Sequence, residues 1–212
     1  TINAMAISLN KENFGHFIDP FNGLEHLDKK ILITPLDPHV TFSDDPLRMM
    51  RAIRFACQLT FEIQPDVLEA ISKQAERIKI VSMERITVEL QKIMSAEKPS
   101  VGFKLLYNTG PLHFFFPDMV RLDSKDQING ISHKNNFYHT LQVLDNLAKV
   151  SDNIWLRWAA LLHDIAKPLT KKFDPIEGWT FHGHEVLGAK LVFQIFKQFK
   201  LPLDHKMKYV QK

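Results

Sequence analysis

The sequence has little cysteine, little glycine and no long apolar run. Its only cysteine, Cys57, excludes an intrachain disulfide, and eight glycines without a regular spacing exclude a collagen-like chain. The longest apolar runs, such as residues 155–162, are interrupted by Arg157 and are much shorter than the roughly 20 residues that cross a bilayer. No signal-peptide pattern is present. These absences predict a globular protein without a membrane span, with the cytoplasm as its location.

The charge balance does not identify the kind of partner that the chain binds. The chain has 27 Lys and Arg against 24 Asp and Glu, which gives a net charge of +3. That balance permits a polyanionic partner, but many proteins with the same balance never bind nucleic acid. With 45% hydrophobic residues, the 212-residue chain has enough apolar surface for one sizeable core or two small ones.

The pattern of apolar residues predicts a mainly α fold. Residues 2–9 and 16–19 indicate two short strands joined by a turn at 10–15, and a second loop contains Pro35 and Pro38. A helix is expected to begin at Asp44, and periodicity predicts further helices at 65–79, 82–95, 100–108, 137–150, 152–166 and 184–199, with Ser82 and Ser100 as N-caps. The turn-rich stretch 123–136 is the best domain boundary. Strand-like residues at the start, and no helix-stop signal at 209–212, predict a sequence cut at both ends.

An arginine stripe marks the first long helix. Arg48, Arg51 and Arg54 recur every three residues and share one helix face, while Met49, Ile53 and Ala56 occupy the core side. A triphosphate among the guanidinium groups would relieve their mutual repulsion. Spacing alone favours a solvated face, because charged faces are common on surface helices.

Several motifs in order carry a family resemblance. Residues 45–56, DPLRMMRAIRFA, resemble the neck-helix signature of the bacterial (class II) CCA-adding enzymes and poly(A) polymerases. TINAMA at 1–6 is similar to the motif that closes the catalytic head of that family, and IDPFNGLEHL at 18–27 resembles the loop that follows it. SMERI at 82–86 and FPD at 116–118 also match. Agreement of several motifs in sequence is far more specific than one motif.

The resemblance assigns roles to individual residues. Asp45 and Arg48 would read the Watson–Crick edge of incoming CTP or ATP, Arg51 and Arg54 would lie near the triphosphate or support these two, and Asn3 would neighbour the ribose. The carboxylates that hold two Mg²⁺ ions for nucleotidyl transfer precede the TINAMA motif in that family. We therefore expect this chain alone to add no nucleotide to RNA.

A second constellation consists of histidines and one aspartate. His163 and Asp164 end an apolar helix, His139 lies on the preceding helix, and His182 and His184 follow. A buried His-Asp doublet is costly unless it is paired, and a divalent metal satisfies both groups. Taken alone, His139 is more typical of a hydrogen-bonded core residue, and His182 or His184 of an exposed one.

The sequence motifs around these residues resemble those of the HD superfamily of metal-dependent phosphohydrolases. They are FYHTL at 137–141, ALLHDIAK at 160–167 and FHGHE at 181–185. The resemblance makes His139, His163, Asp164 and His184 metal ligands and places Lys167 near a substrate phosphate. The later aspartate of that superfamily has only Asp204 as a candidate. Mixed N and O ligands suit Mn²⁺, Fe²⁺, Co²⁺ or Ni²⁺ better than Mg²⁺.

The two resemblances together predict the organisation of the chain. Residues 1–36 would be a short β remnant of a nucleotidyltransferase head, 37–122 a helical neck and body that binds nucleotide and RNA, and 123–212 an all-α HD domain. The expected function is that of a tRNA nucleotidyltransferase fragment, with the 3′ end of tRNA or another RNA, CTP and ATP as partners. A stand-alone HD phosphohydrolase and a non-catalytic RNA-binding module are the alternatives.

Overall fold

The computed structural model describes residues 4–124 and 135–212, together with two strands of two residues between them. Helices make up most of the described chain, and the strands are two or three residues long. None of the described helices combines the length and the apolar character that a membrane crossing requires. The prediction of a mainly α fold is confirmed.

The helices and strands follow one another along the chain in a fixed order. The helices are α1 Gly23–Asp28, α2 Pro38–Asp44, α3 Leu47–Leu59, α4 Pro65–Gln74, α5 Met83–Met94, α6 Pro99–Asn108, α7 Pro111–Phe115, α8 Pro117–Val120, α9 Asn136–Ala148, α10 Ile154–Leu162, α11 Lys167–Thr170, α12 His184–Gln198 and α13 His205–Gln211, with a 3-10 helix at Ala75–Ile80. The strands are β1 Ala6–Ile7, β2 Phe17–Ile18, β3 Ile31–Leu32, β4 Glu62–Ile63, β5 Gln127–Ile128, β6 Ile131–Ser132, β7 Lys172–Asp174 and β8 Gly178–Thr180. β3 pairs with β4 in parallel, and the other three pairs, each between consecutive strands, are antiparallel.

The N-terminal strands form the hairpin that the sequence predicts. β1 and β2 pair with Ala6 opposite Ile18, and the turn between them closes through Gly15, whose φ of 81° is a left-handed conformation that glycine adopts readily. The strands are shorter than predicted. Large apolar side chains of this hairpin, including Ile7 and Phe14, are exposed.

The helix with the arginines begins later than predicted, because a separate helix precedes it. The prediction that Pro38 lies in a loop is wrong, since α2 begins there. Asp37 caps this helix by accepting a hydrogen bond from Val40 N (3.0 Å), and Pro38 occupies its first turn. Asp45 is extended, with φ −143° and ψ 99°, and breaks the helical run before α3.

The other predicted helices appear with shifted ends. Residues 65–79 divide into α4 and the 3-10 helix, and α10 ends at Leu162 rather than at residue 166. The N-cap assigned to Ser100 is wrong, because Pro99 already lies in α6 and the Ser100 N–H donates instead to Asp145 Oδ1 of α9 at 2.9 Å. α13 and the β7–β8 hairpin were not predicted.

The core is one continuous cluster that joins the arginine-bearing and histidine-bearing parts. α3 packs on α5 and α6, α6 packs on α9, and α9 packs on α10. Met49, Ile53 and Ala56 face this core as predicted. Just beyond α12, the buried ring of Phe199 lies 4.8 Å from Phe116 and 5.7 Å from Trp158, centroid to centroid. The carbonyl of Phe199 also accepts from Thr87 Oγ1 of α5 at 2.8 Å.

A buried arginine joins three helices. Arg157 of α10 is 2% exposed. Its guanidinium donates to carbonyls at or just beyond the C-terminal ends of α5 and α9, where helices leave carbonyls without partners. These acceptors are Met94, Ala96 (3.0 Å), Ala148 (3.3 Å) and Ser151 (3.0 and 3.1 Å). The carboxylate of the exposed Asp152 also lies 3.3 Å away.

The free thiol of Cys57 should be unreactive in the folded protein. Burial raises its pKa to about 11, because a thiolate is poorly solvated in the core. We expect iodoacetamide at pH 8 to modify it slowly, and to modify it rapidly once guanidinium chloride unfolds the chain. Mass spectrometry of timed samples measures both rates, and fast labelling of the folded chain would contradict the prediction.

Candidate nucleotide groove and candidate metal centre

A groove lies between residues 23–36 and the helices α2 and α3. It has a volume of about 550 Å³ and is lined mainly by apolar side chains, with Arg48 and Arg51 of α3 and His26 of α1 as its basic members. Phe55 contributes an aromatic ring to the same wall. Small-molecule sites are usually apolar cavities with a few polar groups, and the basic groups here suit an anionic ligand.

The two residues expected to read a base lie at the start of α3 and keep unused hydrogen-bonding capacity. Asp45 Oδ1 accepts from Leu47 N at 3.1 Å, and Oδ2 accepts from Arg85 Nη2 at 3.0 Å. Arg48 is exposed, and its Nη1 donates to Thr41 O at 3.3 Å. A carboxylate has about four acceptor sites and a guanidinium five donors, so the contacts with the described residues leave hydrogen-bonding positions unused on both groups.

Arg54 differs from the other two arginines. It turns toward α5, where its Nε lies 2.7 Å from Glu89 Oε2, with the two side chains 12% and 4% exposed. The guanidinium carbon lies 4.0 Å from the Phe55 ring centroid, and Nη1 donates to Gln58. Since Arg54 does not line the groove, this geometry favours support of α3 over contact with a triphosphate.

Sequence reasoning missed two residues of α5 that hold this region. Arg85 fixes the carboxylate of Asp45, and Glu89 pairs with Arg54. Arg85 and Glu89 lie four residues apart and therefore on one face of α5. This spacing of charged residues is the sequence signal that could have identified them. Asn3, expected near the ribose, lies outside the residues that the structure describes.

Three predicted metal ligands come together. The ligand atoms of His139, His163 and Asp164 lie within 4.8 Å of one another. His139 comes from α9, while His163 and Asp164 follow the last turn of α10. Because two ligands on one ion at about 2.1 Å are separated by at most roughly 4.2 Å, a slight closure brings all three onto one ion.

His184 and Lys167 stand at the edge of this group. His184 Nε2 lies 4.0 Å from Asp164 Oδ1, and Lys167 Nζ donates to Asp164 Oδ2 at 2.8 Å. The Asp164 side chain is 4% exposed, so its negative charge is stabilised by these neighbours rather than by water. Asp204 is not part of the group, because its carboxylate caps α13 by accepting from Lys206 N at 2.8 Å.

Hydrogen bonds to carbonyls fix the tautomers of two histidines. His163 Nδ1 lies 2.8 Å from Ala160 O, and His184 Nδ1 lies 2.8 Å from Phe181 O. A carbonyl only accepts, so each Nδ1 carries a proton, and each Nε2 can bind a metal ion once it carries no proton itself. Metal-bound histidines are commonly oriented in this way. The donor set therefore fits a divalent ion that accepts nitrogen and oxygen ligands.

Hydrogen bonds within the group shift the pKa values of Asp164 and His163. Burial acts to raise the pKa of Asp164, but the hydrogen bonds from His163 and Lys167 outweigh it and lower the pKa to about 2. Burial acts to lower the pKa of His163, and the hydrogen bonds to Asp164 and to Ala160 outweigh it and raise that pKa. A metal ion would have to displace the proton of His163, so metal affinity should fall in acid.

Fold and site together define a helical protein that combines a groove with basic walls and a His-Asp metal centre. The family model "Probable RNA and SrmB- binding site of polymerase A" matches residues 60–122, and the HD domain model matches residues 136–211. The second range contains every residue of the metal centre. An HD domain implies the use of a divalent metal.

Relatives and solved structures agree with these matches. The multifunctional CCA proteins of Pseudomonas fluorescens strains Pf0-1 and Pf-5 are 32% and 33% identical over 96% of this chain. The chain spans 49% of each relative. The Bacillus stearothermophilus CCA-adding enzyme in complex with CTP is similar over 98% of this chain and 42% of its own, with 26% identity and a TM-score of 0.62. A tRNA nucleotidyltransferase complexed with a primer tRNA and an incoming ATP analog shares the fold, with 21% identity over 99% of this chain and 54% of its own and a TM-score of 0.61.

The chain therefore belongs to the CCA-adding enzyme and poly(A) polymerase family and carries an HD domain. It corresponds to about half the length of the curated relatives that it matches.

Proposed function

We propose that this chain is the nucleotide-selecting, RNA-binding and HD portion of a tRNA nucleotidyltransferase that adds C or A to RNA 3′ ends from CTP and ATP. The observation that carries the proposal is the groove beside α3, with Arg48 and Arg51 in its wall and Asp45 at the start of the same helix. Relatives named for CCA addition, and a similar structure in complex with CTP, support it. Mg²⁺ would serve nucleotidyl transfer in the whole protein.

Asp45 and Arg48 are the residues proposed to select the base. A carboxylate accepts from the exocyclic amine that C and A share, and a guanidinium donates to a ring nitrogen or carbonyl. The hydrogen bond from Arg85 fixes one oxygen of Asp45, so the other lone pairs keep a constant direction. Arg51 lies in the groove wall, where it would attract the triphosphate, and Arg54 would hold α3 against α5.

The proposed division of the chain follows the same argument. Residues 1–36 would belong to the nucleotidyltransferase head, which agrees with the exposed apolar side chains of the β1–β2 hairpin. Residues 37–122 would form the neck and body, and residues 123–212 the HD domain, a phosphohydrolase. His139, His163, Asp164 and His184 would hold Mn²⁺, Fe²⁺, Co²⁺ or Ni²⁺, which would polarise a phosphate ester for attack by water.

Substituting the base-reading residues tests the proposal. In a form of the protein that includes a catalytic head, Asp45→Ala or Arg48→Ala should lower the preference for CTP and ATP over UTP and GTP by roughly 5- to 150-fold, since one base-edge pair contributes about 1–3 kcal/mol. Single-turnover incorporation into tRNA lacking its 3′ end measures this preference. Arg121→Ala, an exposed arginine paired with Asp118, is the control. An unchanged preference in both variants would remove Asp45 and Arg48 from this role.

RNA binding separates this proposal from a stand-alone HD phosphohydrolase. We expect the chain to bind tRNA with an affinity that falls steeply as salt rises, because phosphate contacts release counterions. Filter binding between 50 and 300 mM KCl measures the slope. If tRNA fails to bind while phosphatase activity with bound metal remains, the stand-alone phosphohydrolase is the better description.

A further inference from the structure

A row of aromatic rings crosses from the region matched by the RNA-binding model onto the region matched by the HD model. It begins at His113 of α7, passes through Tyr107 of α6 and ends at Phe137 and Tyr138 of α9, with successive ring centroids 5.0, 4.7 and 5.3 Å apart. The inner residues of the row are half-buried or buried, whereas His113 is exposed and Tyr138 is 45% exposed. Both matched regions therefore present an aromatic side chain to solvent along one row.

Hydrogen bonds hold the row in place. The Tyr107 hydroxyl donates to one carboxylate oxygen of Asp123, and Asn135 Nδ2 donates to the other. Asn135 also caps α9, because its Oδ1 accepts from Tyr138 N at 3.3 Å. Tyr138 is thus fixed relative to Tyr107 before any ligand arrives, and a preorganised surface loses little conformational entropy on binding.

Lys104 of α6 gives the HD end of this row a positive charge. Its Nζ lies 5.9 Å from the Tyr138 ring centroid, near the outer limit of a cation–π contact, and it forms no ion pair with any residue that the structure describes. The helices α6, α7 and α9 contain one carboxylate, that of Asp145, which accepts from Ser100 N at 2.9 Å. The ammonium group can therefore bind an anion without giving up an existing ion pair.

This combination of groups suits unpaired RNA. An aromatic ring stacks on the face of a base, and a lysine beside it binds the neighbouring phosphate. A duplex keeps the faces of its bases stacked against one another, so only an unpaired nucleotide offers a base to Tyr138. An acidic peptide would use the lysine and leave the ring without a partner.

We propose that Lys104 and Tyr138 bind an unpaired stretch of RNA, with the Tyr138 ring stacked on a base and Lys104 Nζ on an adjacent phosphate. The HD domain thereby takes part in RNA binding through α9, outside residues 60–122, which the RNA-binding model matches. The row continues that matched region, since Tyr107 and His113 lie within it. This inference rests on the proposed binding of tRNA.

Fluorescence anisotropy of labelled RNA titrated with the whole chain tests the inference. The probes are tRNA, a single strand of about 12 nucleotides and the blunt duplex that this strand forms with its complement. Tyr138→Leu removes the ring and Tyr138→Phe keeps it, while Tyr209→Leu on α13, where the tyrosine is 47% exposed, is the matched control. Lys104→Ala is compared with Lys149→Ala, which removes an exposed lysine at the other end of α9.

Tyr138→Leu should weaken binding of the single strand and of tRNA by about 5-fold or more, with binding of the duplex unchanged. Tyr138→Phe should bind like wild type, because the stacking face remains. Lys104→Ala should reduce the slope of log affinity against log salt by about 0.7 with the single strand, the value for one phosphate contact. Tyr209→Leu and Lys149→Ala should leave affinity and slope unchanged.

Two results would overturn the inference: unchanged single-strand affinity in Tyr138→Leu, or an equal loss of affinity for single strand and duplex. If the melting temperature shows that Tyr138→Leu does not fold, the salt slope of Lys104→Ala decides, and an unchanged slope rejects the surface. Failure of the proposed function has a different signature, because the wild-type chain would then bind none of the three RNAs.

Discussion

Replacing Arg157 with methionine should lower the free energy of unfolding by about 3–5 kcal/mol, the usual cost of removing one partner from a buried charged network. Methionine fills a similar volume but donates no hydrogen bond. The substitution leaves the carbonyls of Met94 and Ala96 buried without the donor that Arg157 supplies, and each such group costs about 1–3 kcal/mol. For a chain of this length the melting temperature should fall by about 6–20 °C.

Denaturation in urea followed by circular dichroism measures this loss. Arg157→Lys should show an intermediate loss, since one ammonium group has three donors and lacks the planar fork of the guanidinium. Arg121→Met removes an exposed arginine with one ion pair and should change stability by less than about 1 kcal/mol. A midpoint for Arg157→Met equal to that of wild type would show that the carbonyls find other donors.

The second large effect concerns the metal centre. Protein purified without a chelator should contain close to one transition-metal ion per chain, and His163→Ala or Asp164→Asn should reduce this to background. His163 would supply a nitrogen ligand, and Asp164 is the one carboxylate among the three convergent groups. Loss of a ligand usually weakens binding more than the 10- to 100-fold caused by loss of an outer hydrogen bond.

Inductively coupled plasma mass spectrometry measures the metal content of each variant. His182→Ala is the control, because His182 is exposed and lies two residues from His184. Thermal melting with and without EDTA provides a second readout, since a ligand bound only to the folded state raises its stability. A wild-type chain free of metal after incubation with Mn²⁺ or Fe²⁺, or full occupancy in His163→Ala, would contradict the metal-centre interpretation.

Local sequence signals predicted the features that depend on residues close together in the chain. The amphipathic period of α3 put Met49, Ile53 and Ala56 in the core, and the doublet at residues 163–164 indicated a convergent group with His139. α2 was missed because the prolines nearby suggested a loop, although Asp37 and Pro38 together form a helix start.

Features that depend on distant partners could not be predicted. Arg157 interrupts an apolar run, and nothing nearby reveals that α5 and α9 bring their terminal carbonyls to it. The division among the arginines has the same origin, since Arg54 turns inward only because Glu89 of α5 lies opposite. The β7–β8 hairpin is different, because its turn is local: Asp174 accepts from Ile176 N and Glu177 N.

The position of Phe199 limits which exchanges of the C-terminal part this fold tolerates. Its ring packs on Phe116 and Trp158, and its carbonyl accepts a hydrogen bond from Thr87, so the residue that follows α12 completes the packing of the region matched by the RNA-binding model. Deleting residues 136–212, or exchanging them for another HD domain, would uncover apolar faces of α5, α6 and α7 at once. The two matched regions therefore pack as one unit, and a replacement domain would need a matching aromatic side chain at this junction before the exchange produced a stable protein.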